Sequence, residues 1–189
     1  MKDLQTALKK QPIVYVTREI ERALGLPPKT AGFSIISNLR GFAKQNEHNF
    51  DTDLLIPALD KYRDTWELLS QKETKHWMDA HKKGIQPAIV VFKPTQQIER
   101  IATERGWSVL NPSASISQRV EEKISQIEWL GNLASVLPPH YVRIAKEITW
   151  DGTPIILQFN HAHTGNGTML INNATELEHV QKTFPDRPI

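Results

Sequence analysis

Along the first 110 residues, short continuous apolar runs alternate with stretches whose apolar positions recur every three or four residues. PIVYVT (12–17) and AIVVF (88–92) are runs of the first kind, rich in β-branched side chains. They predict strands covered on both faces, where every side chain meets an apolar neighbour. FSIIS (33–37) reads as a further strand. After AIVVF the period lengthens, placing Ile98, Ile101 and Ala102 on one helical face. Thr95 stands where an N-cap is needed and Gly106 where a left-handed stop would end that helix. WSVLNP (107–112) returns to a strand pattern. Strand, helix and strand in that order predict a parallel sheet with right-handed crossovers. A long helix is expected over 53–70, with Leu55, Leu59, Tyr62, Trp66 and Leu69 as one core-facing stripe. Gly84 and Pro87 close that region before AIVVF.

At Pro112 the character changes. Ser115 and Gln118 fit a capping box opening a helix with Ile116, Val120, Ile124, Ile127 and Leu130 on one side, ended by Pro138-Pro139. Two strands, 141–148 and 154–159, are expected around an Asp151-Gly152 turn. A hairpin at 157–170 follows, then a helix starting at Thr175, capped with Glu178 and packing Leu177, Val180 and Phe184. The pattern thus divides into a sheet-and-helix α/β region, 1–112, and a smaller α+β region, 113–189.

Composition narrows the chemistry. At 39% hydrophobic and 23% charged, the chain has the make-up of a globular protein. It contains no cysteine, which excludes disulfides, thiolate metal sites and cysteine nucleophiles. The 23 basic and 21 acidic residues leave a net charge of +2. The most basic stretch, KETKHWMDAHKK (72–83), is interrupted by acids and reads as the solvated face of a helix. No Lys/Arg run interleaves with aromatics, so no nucleic-acid partner is expected. No apolar run is long enough to cross a bilayer and no secretory segment opens the chain, which makes the cytoplasm the expected compartment.

LQFNHAHTGNGTML (157–170) bears the most chemistry. Gly165 and Gly167 let the backbone approach a ligand closely, and successive N–H groups in such a turn converge on an anion. Thr164, Asn166 and Thr168 add short polar side chains. His161 and His163 would share one face of a strand, as a metal pair does, although a zinc site needs a third ligand. An ordinary hairpin also accounts for these residues. There is no GxSxG elbow, no GxxxxGK[ST] loop, and no dinucleotide-binding glycine fingerprint after PIVYVT. Glu121 and Glu122 read as solvated acids on a helix surface.

The order of features after residue 112 adds a resemblance. Lys123 stands on the helix opening the second region, some 35 residues before Gln158. A strand ending PIILQF, a glycine hairpin and a helix then follow. This series resembles the first nucleotide-binding subdomain of the ATP-grasp superfamily. The upstream half, with PIVYV and AIVVFKPTQQIERIATERGWSVLNPSA, resembles the Rossmann-like pre-ATP-grasp domain. The resemblance implies that Lys123, with Arg119 as a nearby substitute, contacts nucleotide phosphates. It implies that His163, Thr164, Gly165, Asn166, Gly167 and Thr168 form the flap over them. Gln158 stands where these enzymes usually carry a second lysine, so the site has one charge fewer. Asn160, His161, Ala162 and His163 replace part of the usual glycine run, which implies a stiffer loop, with Gln158 and Asn160 still counted among the nucleotide-binding residues.

By the same resemblance, ATP with Mg²⁺ would activate a small carboxylate as an acyl-phosphate for attack by an amine. The Mg²⁺ ligands belong to a second subdomain expected beyond Ile189. FPDRPI would lead into its next strand, and the chain would be a fragment. A hairpin lacking that partner is expected to expose Ile155, Leu157 and Phe159. Two other expectations stand beside the ligase: a non-catalytic nucleotide-binding or interaction module, and a metal-dependent hydrolase using His161 and His163.

Overall fold

A computed structural model describes residues 2–58, 60–81, 85–161 and 167–189. The chain forms two compact units, Met1–Ser117 and Gln118–Ile189. In the first, helix α1 (Lys2–Lys10) precedes strand β1 (Ile13–Val16). Then come a 3-10 turn at Ile20–Ala23, β2 (Phe33–Leu39), the short α2 (Phe42–Gln45) and β3 (Leu54–Pro57). Helices α3 (Thr65–Ser70) and α4 (Lys72–Ala80) lead to β4 (Ala88–Val91) and α5 (Gln96–Glu104). The sheet is parallel throughout, in the order β3-β2-β1-β4. This is an α/β fold, and the strands expected at 33–37, 12–17 and 88–92 are β2, β1 and β4, adjacent in that order.

Alternation sorts the side chains of each strand onto two faces. Val14, Val16, Ile36, Ile56 and Ile89 pack with Leu68, Leu69, Met78, Ile98 and Ile101 of the helices on one side. Ile35 packs on the other with Ile20, Ala43 and Phe50. Both faces are therefore dry, which is why these strands are apolar runs rather than alternating ones. The basic stretch from residue 72 lies along α4, which exposes Lys72, Lys75 and His76 and buries Thr74 and Met78.

Helix α5 starts and stops as its sequence predicts: Thr95 Oγ1 accepts the Ile98 N–H at 3.2 Å, and Gly106 follows at φ +67°. WSVLNP contributes a parallel bridge between Val109 and Ile89 rather than a full strand. The ladder is then continued by a side chain. Asn111 Oδ1 accepts the Val91 N–H at 2.8 Å, and its Nδ2 donates to the Val91 carbonyl at 2.8 Å.

The helix expected over 53–70 is instead strand β3 followed by α3. Asp64 and Glu67 form a capping box that opens α3, and Pro57 ends β3. Leu55 thus belongs to a strand and Tyr62 to a loop, while Leu59 lies outside the described residues.

Around the boundary of the second unit lie α6 (Ala114–Glu121) and α7 (Lys123–Leu130), followed by a 3-10 stretch, Gly131–Val136. The hairpin strands β5 (Ile155–Gln158) and β6 (Thr168–Ile171) pair antiparallel, and α8 (Ala174–Thr183) covers one of their faces. Leu157, Ile171, Leu177 and Val180 form the core there.

Several expectations change in this unit. The single helix predicted from Ser115 is two, broken at Glu122 in extended conformation, and α7 buries none of its residues. Ser113 rather than Ser115 accepts the first-turn N–H, that of Ile116 at 3.3 Å. Helix α8 is capped by Asn173, with Glu176 bonding back to the Asn172 N–H at 2.7 Å, two residues earlier than predicted. No strand fills 141–148; a 3-10 turn occupies Ala145–Glu147. The tail at FPDRPI folds back on this segment, with Ile144 bridged antiparallel to Pro188. Arg143 and Ile189 exchange main-chain bonds of 3.0 and 2.9 Å.

Candidate functional site

The hairpin register places Gln158 opposite Thr168 and Ile156 opposite Leu170. These four side chains share the face that α8 leaves open, since facing residues in a sheet point the same way. Ile156 and Leu170 are 65% and 60% exposed. Leu157 and Phe159, predicted to form the exposed apolar patch with Ile155, are buried instead, and Ile155 is half-buried. Parity explains the correction: α8 covers the odd-numbered face of β5, leaving Ile156 in solvent.

Three main-chain and side-chain contacts shape the neck of the loop that leaves this hairpin. The Phe159 N–H donates to the Gly167 carbonyl at 2.9 Å, holding the two arms together. Lys123 Nζ donates to the Phe159 carbonyl at 3.1 Å. Asn160 Oδ1 accepts the Ile124 N–H at 3.0 Å. This last bond is an N-cap supplied from 36 residues away, and Glu122, the local N-cap residue, makes no side-chain cap bond of its own. Asn160 therefore fixes where α7 begins and where Lys123 sits.

Lys123, Asn160, Gly167 and the residue between the arms, Phe159, are brought together. Gln158 lies on the open face, with its Nε2 3.4 Å from Thr168 Oγ1. Arg119 is taken up elsewhere, its guanidinium 5.6 Å from the Trp129 ring centroid. His163, Thr164, Gly165 and Asn166, together with Ala162, lie outside the described residues.

His161 is exposed, with Nε2 3.7 Å from Glu122 Oε1. Glu122 corrects the reading of a solvated acid, because its side chain is only 20% exposed and its Oε2 accepts the Ser125 hydroxyl at 2.9 Å. Among the described residues no group of three or more His, Asp or Glu side chains could hold a metal ion.

Arg187, which no sequence motif marks, stacks on the same neck. Its Cζ lies 4.5 Å from the Phe159 ring and 5.2 Å from that of Phe184. The two rings meet edge-on at 4.9 Å. The only sequence signal for this contact is an arginine near an aromatic in FPDRPI.

No helix among the described residues is long and apolar enough to cross a membrane. No protein-family model matches the sequence, nor does any curated protein.

Proposed function

We propose that residues 118–189 bind the phosphates of ATP, as the first nucleotide-binding part of a cytoplasmic ATP-grasp carboxylate–amine ligase. One observation carries this reading. The Lys123 ammonium sits 3.1 Å from the carbonyl of Phe159, at the residue where β5 passes into the glycine-containing loop. An ammonium held at the neck of such a loop is placed to meet an anion gripped by it.

The residues fit an oxyanion chemically. Lys123 supplies a cation, and Gln158 and Thr168 supply an amide and a hydroxyl on the open face of the hairpin. When bound, ATP with Mg²⁺ would supply the phosphoryl group that activates a carboxylate. The chain's own part is to bind and orient: Asn160 sets the position of Lys123, and the Phe159–Gly167 bond sets the width of the neck. The Mg²⁺ ligands and the carboxylate and amine pockets remain with the resemblance.

A second reading, a non-catalytic nucleotide-binding module, is favoured by Gln158. A neutral amide there leaves less positive charge to stabilise a transferring phosphoryl group.

Calorimetric titration with MgATP and with AMP tests the proposal. MgATP should bind more tightly than AMP, and Lys123→Ala should weaken MgATP by roughly tenfold or more, the loss of one charge-assisted bond. Equal affinity for the two nucleotides, or an unchanged affinity in K123A, would end it.

A further inference from the structure

We infer that the carboxyl edge of the parallel sheet, at Arg18, Arg40 and Arg63, binds a small, multiply charged oxyanion. β1, β2 and β3 are parallel neighbours, so the segments leaving them emerge along one edge. Open parallel sheets form their ligand crevices outside the carboxyl ends of the strands, where the strand order reverses; here that point lies between β1 and β4, and Arg18 follows β1 beside it. Arg18, Arg40 and Arg63 lie in those three segments.

The segments are tied by one buried carboxamide. Asn38 is 1% exposed. Its Nδ2 donates to the carbonyls of Arg18 and Arg63 at 2.8 and 2.9 Å, and its Oδ1 accepts the Arg63 N–H at 3.0 Å. A polar group buried in this way fixes the main chain at two of the three arginines. Tyr62 gathers the side chains: Arg18 Cζ lies 5.6 Å and Arg40 Cζ 5.3 Å from its ring centroid. Gly41, at φ +56°, makes room for that ring, because a Cβ there would stand 2.9 Å from the Tyr62 hydroxyl.

Charge on this edge is unevenly met. Arg18 pairs with Asp64 at 3.4 Å and more loosely with Glu19 at 4.0 Å, Glu19 lying closer to Arg22 at 3.2 Å, and Glu67 pairs with Lys61 at 3.9 Å. Arg40 and Arg63 instead donate to main-chain carbonyls, those of Asp60 and Pro57, each at 2.6 Å. Among the described residues neither forms an ion pair with a carboxylate. Each guanidinium carries five N–H donors in a planar fork that matches the oxygens of carboxylate and phosphate groups. A ligand with two such groups would span the fixed arginines and offset their mutual repulsion.

The test is heteronuclear NMR of the arginine Nε–H groups in the full chain, at constant ionic strength. Pyrophosphate and citrate are titrated separately, with chloride as the control. A saturable shift at Arg40 and Arg63 is expected with at least one of the two, and which one separates a phosphate ligand from a carboxylate ligand. Arg40→Gln and Arg63→Gln should each weaken it about tenfold, as for one lost charge-assisted contact. Lys123→Ala should leave it unchanged, which separates this site from the nucleotide reading. The wild-type titration stands even if a variant fails to fold. No saturable shift with either ion, the same shift with chloride, or wild-type affinity in R40Q would overturn the inference.

Discussion

Replacing Asn160 by alanine should loosen α7 from its first turn without touching the sheet of the other unit. The Oδ1 bond to the Ile124 N–H, at 3.0 Å, is the side-chain cap of that helix, since Glu122 supplies none. The Asn160 main-chain oxygen also accepts the Lys123 N–H, but at 3.4 Å this bond is long and weak. Loss of an Asn cap costs about 0.5–2 kcal/mol. The upper half of that range applies here, because α7 buries no residue and has little packing to fall back on. Native-state hydrogen exchange reads the effect directly. The amides of the first turn of α7 should exchange about 5–30 times faster in N160A, while those of β1 and β2 keep their wild-type rates. Asn160→Asp separates capping from binding. Aspartate caps as well as asparagine and suits a helix N-terminus electrostatically, so protection should survive. Its carboxylate would stand beside Lys123, so MgATP affinity should fall. Wild-type exchange at Ile124 in N160A would show that α7 is not held from residue 160.

Two further outcomes concern the first unit. Burial pushes the Asp53 carboxyl above the ordinary range; its bond to the Ile35 N–H acts the other way, and Asp51 adds to the rise. The folded state then holds the proton more tightly than the unfolded chain, so stability grows as pH falls through the raised value and is lower at neutral pH. Urea unfolding should show this trend in the wild type and a flatter one in Asp53→Asn; equal slopes would refute it. Gly32 turns at φ +79°, and a Cβ there would lie 2.4 Å from the Leu8 carbonyl oxygen. Gly32→Ala should cost more than about 1 kcal/mol in thermal or urea unfolding, and an unchanged midpoint would contradict the close approach.

What the sequence discloses here depends on whether a residue's partners are near it in the chain. β1, β2 and β4 are legible because a run such as IVYV is apolar for the same reason that it is buried: both of its faces meet other side chains. Thr95 and Gly106 are legible because a helix cap and a helix stop are local. The stripe from Leu55 to Leu69 misleads because its spacing fits a helix across a strand, a loop and a second helix. The contiguous Leu54, Leu55 and Ile56 before Pro57, and the Asp64/Glu67 capping box, are the signals that divide it.

In the candidate site, Lys123 and the loop could be associated through order alone, but not the bond that joins them. The acceptor is a main-chain carbonyl, which every residue has and no pattern marks. Asn160 shows the same limit more sharply. As a loop residue it reads as a ligand donor, whereas its side chain caps a helix at Ile124, 36 residues earlier. The face of β5 was ambiguous for another reason. Ile155, Ile156 and Leu157 are all apolar, so only the placement of α8 decides which side stays dry.

The last rung beyond β4 is made by Asn111, whose carboxamide both receives and gives a bond to Val91. Aspartate has nearly the same shape but no hydrogen to give, and would set a negative oxygen against the Val91 carbonyl. An aspartate at this position would therefore turn an attraction into a repulsion at the sheet's outermost tie, and Pro112, with no main-chain N–H to attack the neighbouring carboxamide, guards Asn111 against the loss of ammonia that would create one.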